Sequence, residues 1–112
     1  MAWQFRNDIP IYTQLIAQIR QRIVSGALLP GERLPSVRDL AAEAGVNPNT
    51  MQRAMMEMER EELVYSQRTA GRFVTEDGER IRRLRESLAR NQVKDFLEGM
   101  YQLEFQLGEI VT

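Results

Sequence analysis

Cysteine and histidine are both missing from this 112-residue chain. Without cysteine there is no disulfide framework, thiol nucleophile or thiolate metal site. Without histidine the commonest general base and the commonest metal ligand are gone as well. Sixteen acidic residues remain, but they are scattered among 15 basic ones on expected helix surfaces rather than gathered around a pocket. Neither an enzyme, a metal site nor a cofactor is therefore expected. Long apolar runs are absent too: nothing approaches the roughly 18 residues a membrane helix needs. The opening MAWQFRNDIPIY has no charged-then-apolar leader, so a cytosolic protein is expected. An excess of either charge is also lacking. The formal net charge is −1, which argues against a nonspecific nucleic-acid coat but leaves room for a localised basic patch.

What is present describes one soluble domain, or a small domain with an appendage: 43% apolar and 28% charged residues, within the range of folded proteins. Residues 1–75 carry nine Arg against eight acids, and of the 15 basic residues only Lys94 is lysine. Arginine is the better fork-shaped reader of phosphate and guanine, although the ratio also arises from a GC-rich genome.

From Pro10, a suitable first-turn residue, Tyr12, Leu15, Ile16, Ile19 and Ile23 form an amphipathic helical stripe that Gly26 closes. A Pro30-Gly31 turn and a short extended piece around Arg33 and Leu34 follow. Ser36 opens a second helix, with Asp39 three residues on as a capping-box variant. Its stripe is Val37, Leu40, Ala41 and Ala44, and Gly45 ends it. Asn47 is an N-cap and Pro48 an N1 residue, so a third helix begins abruptly and runs to about Glu61 or Glu62. Two helices joined through a glycine corner make a helix-turn-helix pattern.

The third helix, in GVNPNTMQRAMMEME, has two faces. Met51, Ala54, Met55 and Met58 lie on an apolar stripe and read as core filling rather than a metal-binding surface, while Met56 falls off it without explanation. Asn49, Gln52 and Arg53 lie roughly opposite. No acid occurs in its first two turns, whereas EMEREE crowds the far end, as suits a helix whose N-terminal residues enter a major groove. Asn and Gln can contact adenine, and Arg guanine, each worth roughly 1–3 kcal/mol of discrimination. A solvated helix surface is the plainer alternative. Arg38, one turn after the Ser36 cap, suits a phosphate clamp.

LVYSQR and RFVT read as two strands around a TAG turn, with Gly71 supplying any positive φ. Arg68, Thr69, Gly71 and Arg72 surround the hairpin tip and suit approach to a minor groove or backbone. From about Asp77 a further helix carries Ile81, Leu84, Leu88, Val93, Phe96, Leu97, Met100 and Leu103 on one stripe. At about 26 residues it would be roughly 39 Å long, too long to cover its stripe on its own domain. A partner chain is the simplest cover. The tail LEFQLGEIVT suggests a final short helix through Leu107, Ile110 and Val111, and Trp3 and Phe5 read as N-terminal anchors against the body or a partner. The fold class is thus mainly α with a small β-hairpin: a winged helix-turn-helix over 1–76 and a C-terminal α-helical dimerisation segment over 77–112.

At these residues the chain resembles the GntR family of bacterial transcription regulators. IPIYTQLIAQIRQRIVSGALLPGERLPSVRDLAAEAGVNPNT, MQRAMMEMEREELVY and RTAGRFV fall in register with its winged-helix domain, over about residues 9 to 75. The short tail and NPNT resemble the YtrA-type subfamily, whose members resemble repressors often encoded beside ABC-transporter genes. The resemblance implies a homodimer on a palindromic operator, contacted by Arg38, Asn47, Asn49, Thr50, Gln52 and the wing from Arg68 to Gly71. Ser36, Arg53 and Arg72 complete the expected DNA-binding set from the residues themselves. The recognition helix would span about 48–61 and the wing about 67–73. Departures are visible. Pro48 and Gln52 replace two usual arginines, so Arg53 is the candidate to take over a contact. Thr69 and Ala70 replace a wing glycine and a basic residue, and Glu62 stands where a helix-ending glycine is usual. The 37 residues after Thr75 cannot build a large independent effector domain, so any effector pocket would form between subunits, or regulation lies elsewhere. The rival readings are a winged helix that docks a protein without DNA, and a regulator whose dimer interface binds a small molecule.

Overall fold

A computed structural model describes residues 2–104. In chain order it contains α1 (Ile11–Ser25), α2 (Val37–Ala44), α3 (Pro48–Arg60), β1 (Val64–Gln67), β2 (Gly71–Val74) and α4 (Gly78–Gln102). The expected final helix through Leu107, Ile110 and Val111 falls outside the described residues.

Helix α1 follows Pro10 and stops where Gly26 turns left-handed at φ 83°. Its entry is fixed by a side chain the sequence pattern does not single out. Gln14 folds back, accepting from the Arg6 N–H at 2.7 Å and donating to the Arg6 and Ile9 carbonyls. The caps of α2 and α3 are as expected: Ser36 Oγ accepts from the Asp39 N–H at 3.1 Å, and Asn47 Oδ1 from the Asn49 N–H at 2.8 Å. Gly45 ends α2 at φ 71°.

The apolar stripes converge. Leu15, Ile16, Ile19 and Ile23 of α1 pack with Leu40 and Ala41 of α2 and with Met51, Ala54, Met55 and Met58 of α3. Leu28, Leu34, Leu63, Val64, Val74 and Ile81 close the core. Each large apolar side chain buried there contributes roughly 1.5–3 kcal/mol relative to exposure. Three of the four methionines in α3 are therefore core, and Met56 is exposed. Trp3 and Phe5 stack together and pack against this core, with the Arg22 guanidinium over the Trp3 ring.

The two strands pair antiparallel, Val64 with Val74 through Gln67 with Gly71, leaving a three-residue tip, Arg68 to Ala70. Gly71 has φ 107°, the positive value expected of it. The extended piece before α2 joins this sheet: Arg33 bridges to Phe73, and the Leu34 N–H donates to the Arg72 carbonyl at 2.8 Å. The wing is thereby stitched to the segment that leads into the helix-turn-helix.

Helix α4 starts at the Asp77 cap and runs 25 residues, roughly 37 Å. Its first turns rest on the domain through Ile81 and Leu84, and Arg85 donates twice to the Val24 carbonyl at the end of α1. Ile81 is 5% exposed, which corrects its expected place in a partner interface. Leu84 is half-buried on the same core, so the domain itself uses the start of the stripe. Val93, Phe96, Tyr101 and Leu103 further along are exposed.

Candidate nucleic-acid interface

Pro48, with its fixed φ and missing N–H, stands at the first position of α3 and sets where the helix begins. From that start Asn49 points to solvent, Thr50 and Gln52 are half-buried, and Arg53 is exposed. The Arg53 guanidinium lies 4.2 Å over the Tyr12 ring of α1. Stacking of this kind holds a guanidinium in place while leaving its edge N–H groups free to donate. Asn47 Oδ1 accepts the cap hydrogen bond, and its amide N–H groups remain for a partner.

Ser36, Arg38 and the Arg68–Thr69 tip are exposed, as is Gly71. Ser36, Gln52, Gly71 and Arg72 line one groove of about 330 Å³ between α2, α3 and the wing, together with Arg33. Four of the eleven expected residues, from three separate segments, thus meet in one place, whereas Arg38, Asn47, Asn49, Thr50, Arg53, Arg68 and Thr69 lie outside this groove.

Arg72 differs from the rest. It is half-buried, and its Nε donates to Glu59 Oε1 at 2.5 Å, with Ser66 Oγ donating to the same oxygen at 2.8 Å. Burial alone would raise the Glu59 carboxyl, but the hydrogen bonds from Arg72 and Ser66 outweigh it and hold the group below its usual range. This arrangement ties the wing to the last turns of α3. Periodicity could not reveal it, because the partners are 13 residues apart on different elements.

Electrostatics resolve the near-neutral net charge into regions. Arg20, Arg60 and Arg80 are paired with acids, Arg20 and Arg60 around Glu57 and Glu61, Arg80 with Glu62 at 2.9 Å. Glu57 is held down to about 2, first by its hydrogen bond with Arg60. By contrast, among the described residues Arg33, Arg38, Arg53 and Arg68 have no carboxylate within ion-pair distance. The uncompensated positive charge of the domain therefore includes the lead-in to α2, the first turn of α2, α3 and the wing tip. Arg33 was not among the residues singled out from the sequence. The alternation in GERLP, with Leu34 buried and Arg33 outward, is the signal that could have found it.

Among the described residues no group of three or more acids could hold a metal ion, and no helix is long and apolar enough to cross a membrane.

The description "Bacterial regulatory proteins, gntR family" matches residues 11–74. Across 96% of its length the chain is 43% identical to the uncharacterized HTH-type transcriptional regulator YhcF of Bacillus subtilis, covering 89% of that protein. It is 40% identical to the HTH-type transcriptional repressor YtrA of the same organism over 64% of this chain and 55% of YtrA. Of that repressor it spans only about half. Among solved structures, a GntR family transcriptional regulator from Listeria monocytogenes superposes with a TM-score of 0.89 at 37% identity, covering 96% of this chain and 94% of that one. The AraR DNA-binding domain in complex with its operator ORR3 superposes at 0.55 with 28% identity, over 67% of this chain and 88% of that domain.

Proposed function

The chain belongs to the GntR family of bacterial regulatory proteins, and from that premise we propose that this DNA-binding transcription regulator is a homodimeric repressor of its own operon, acting on a palindromic operator. The YtrA-type subfamily it resembles is similar to repressors often encoded beside ABC-transporter genes, and such genes are the proposed target. Residues 1–76 bind DNA and 77–112 dimerise. Helix α3 enters the major groove and reads bases with Asn49, Gln52 and Arg53. Ser36, Arg38, Asn47 and Thr50 hold the backbone, and Arg68, Thr69 and Gly71 bring the wing to the minor groove or the backbone. Arg72 acts behind them, through Glu59, on the angle of the wing.

Repression is supported by the likeness to the repressor YtrA, and operator binding by the likeness to the operator-bound AraR domain. The observation that carries the dimer is the distal half of α4. Val93, Phe96 and Leu103 are each more than half exposed at the distal end of this helix. Large apolar residues gathered this way mark an association surface, and a two-fold pairing of α4 would cover it. Such a pair reads half-sites one helical turn or a multiple apart, roughly 34–36 Å per turn.

Selection from a random duplex pool with the whole chain tests the reading. An inverted repeat of two half-sites in helical phase is the expected product. Enrichment of a lone half-site, or of no sequence at all, would overturn the palindromic homodimer.

A further inference from the structure

The groove between the wing and α3 holds an arginine with no role in the scheme above. Arg33 bridges Phe73 as a one-residue third strand, locked on either side by Leu34 N–H to Arg72 O at 2.8 Å and Val74 N–H to Glu32 O at 2.9 Å. Side chains alternate along such a segment, so the burial of Leu34 turns Arg33 outward. Its diagonal neighbour across the bridge is Gly71, and diagonal neighbours lie within reach of long side chains. With no side chain at Gly71, the guanidinium lies across the wing backbone. A Cβ at that glycine would stand 3.2 Å from Arg33 Nε and 3.7 Å from its Nη2. Gly71 thus has two duties: it adopts φ 107°, and it leaves the space the guanidinium fills.

The charge lies against Gly71 and is left uncompensated. Arg72, its neighbour in the groove, is neutralised by Glu59. Arg33 has no ion pair and no side-chain hydrogen bond among the described residues, and it lines the groove together with Ser36 and Gln52. A planar fork of N–H donors held against a surface suits a phosphate oxygen, and a surface that orders the side chain beforehand lowers the entropy lost on contact. We propose that Arg33 grips a backbone phosphate of the DNA, in the groove between recognition helix and wing, and that Gly71 preorganises it. Such a contact sets the register of α3 on the duplex without reading a base. The proposal rests on the DNA-binding reading and adds to it a contact outside its expected set.

The test uses the whole chain, a duplex recovered by the wild-type protein from a random pool, and a scrambled duplex of equal composition. Arg33→Gln keeps the stem over Gly71 and removes the charge. It should weaken binding to both duplexes by roughly tenfold and reduce the slope of log affinity against log salt by about one. Arg33→Lys should restore most of that slope. On the recovered duplex, neutralising single phosphates as methylphosphonates should reveal one position that costs the wild type affinity but costs Arg33→Gln nothing. Wild-type affinity and slope for Arg33→Gln would overturn the proposal, as would a loss confined to the recovered duplex. A rise in wild-type melting temperature with inorganic phosphate alone, abolished in Arg33→Gln, would assign the groove to the free anion instead and also overturn it. Failure of the wild-type chain to bind any duplex would sink the DNA reading itself, a separate outcome.

Discussion

Glu62 sits in the left-handed region at φ 61°, just past the cap of α3, where a side chain is strained. An L-residue there costs roughly 1–2 kcal/mol, which glycine avoids at some loss of chain entropy. The Arg80 ion pair at 2.9 Å joins two partly exposed side chains and offsets little of this. Glu62→Gly should therefore stabilise the domain by roughly 0.5–1 kcal/mol, read as a melting temperature higher by a few degrees. An unchanged or lower value would show that the ion pair outweighs the strain. The sequence marked this position, since the resemblance makes a glycine usual there. That the chain must turn left-handed without one is visible only in the fold. Asn47 and Pro48 are the opposite case. Cap and N1 preferences act within a few residues, and both took the positions their chemistry predicts.

At the scale of elements, α3 has two ends of different character. Its first turns leave Asn49 and Arg53 exposed, while its last turns gather Glu57, Glu59 and Glu61 against Arg20, Arg60 and Arg72. The Glu57 carboxyl lies at about 2 rather than its ordinary 4.5, chiefly because of the Arg60 hydrogen bond. Its folded value is depressed, so its stabilisation is present above 4.5 and is lost as pH falls from there toward about 2. The melting temperature of the wild type should drop through that window, and that of Glu57→Gln should drop less steeply. Parallel curves would refute the assignment. The helices were legible in the sequence because each carries an apolar stripe of period 3.6, and the hairpin because its turn needs a glycine. The ion pairs that lock them were not. Arg72 looked like another exposed wing arginine until the hairpin folded it onto Glu59.

For the whole molecule, the decisive feature is the split along α4. Its first turns complete the core through Ile81, and its distal half presents Val93, Phe96 and Leu103 to solvent. If two copies pair through that half, Phe96→Glu should give a monomer by sedimentation. It should also lower affinity for a two-half-site duplex by roughly a hundredfold, because the two heads no longer bind as one unit. A variant that still sediments as a dimer would move the interface elsewhere. Periodicity identified one stripe from Ile81 to Leu103, pausing at residues 90–92 but holding its phase. It could not divide that stripe between the chain's own core and another surface, because both uses demand the same residues.

Taken alone, the sequence determined what local rules control: where helices start and stop, which faces are apolar, that a hairpin follows α3, and that neither cysteine nor histidine chemistry is available. Through its resemblance it also pointed to the family that the comparisons establish. Only the tertiary structure decided which arginines are neutralised and which stand free. Pairing depends on side chains brought together from distant segments, as Arg20 meets Glu61 and Arg33 meets Gly71. Charge counts along a chain carry no such distances. A nearly neutral protein can therefore hold uncompensated arginines on α3 and the wing, and that becomes visible only when the partners are in place.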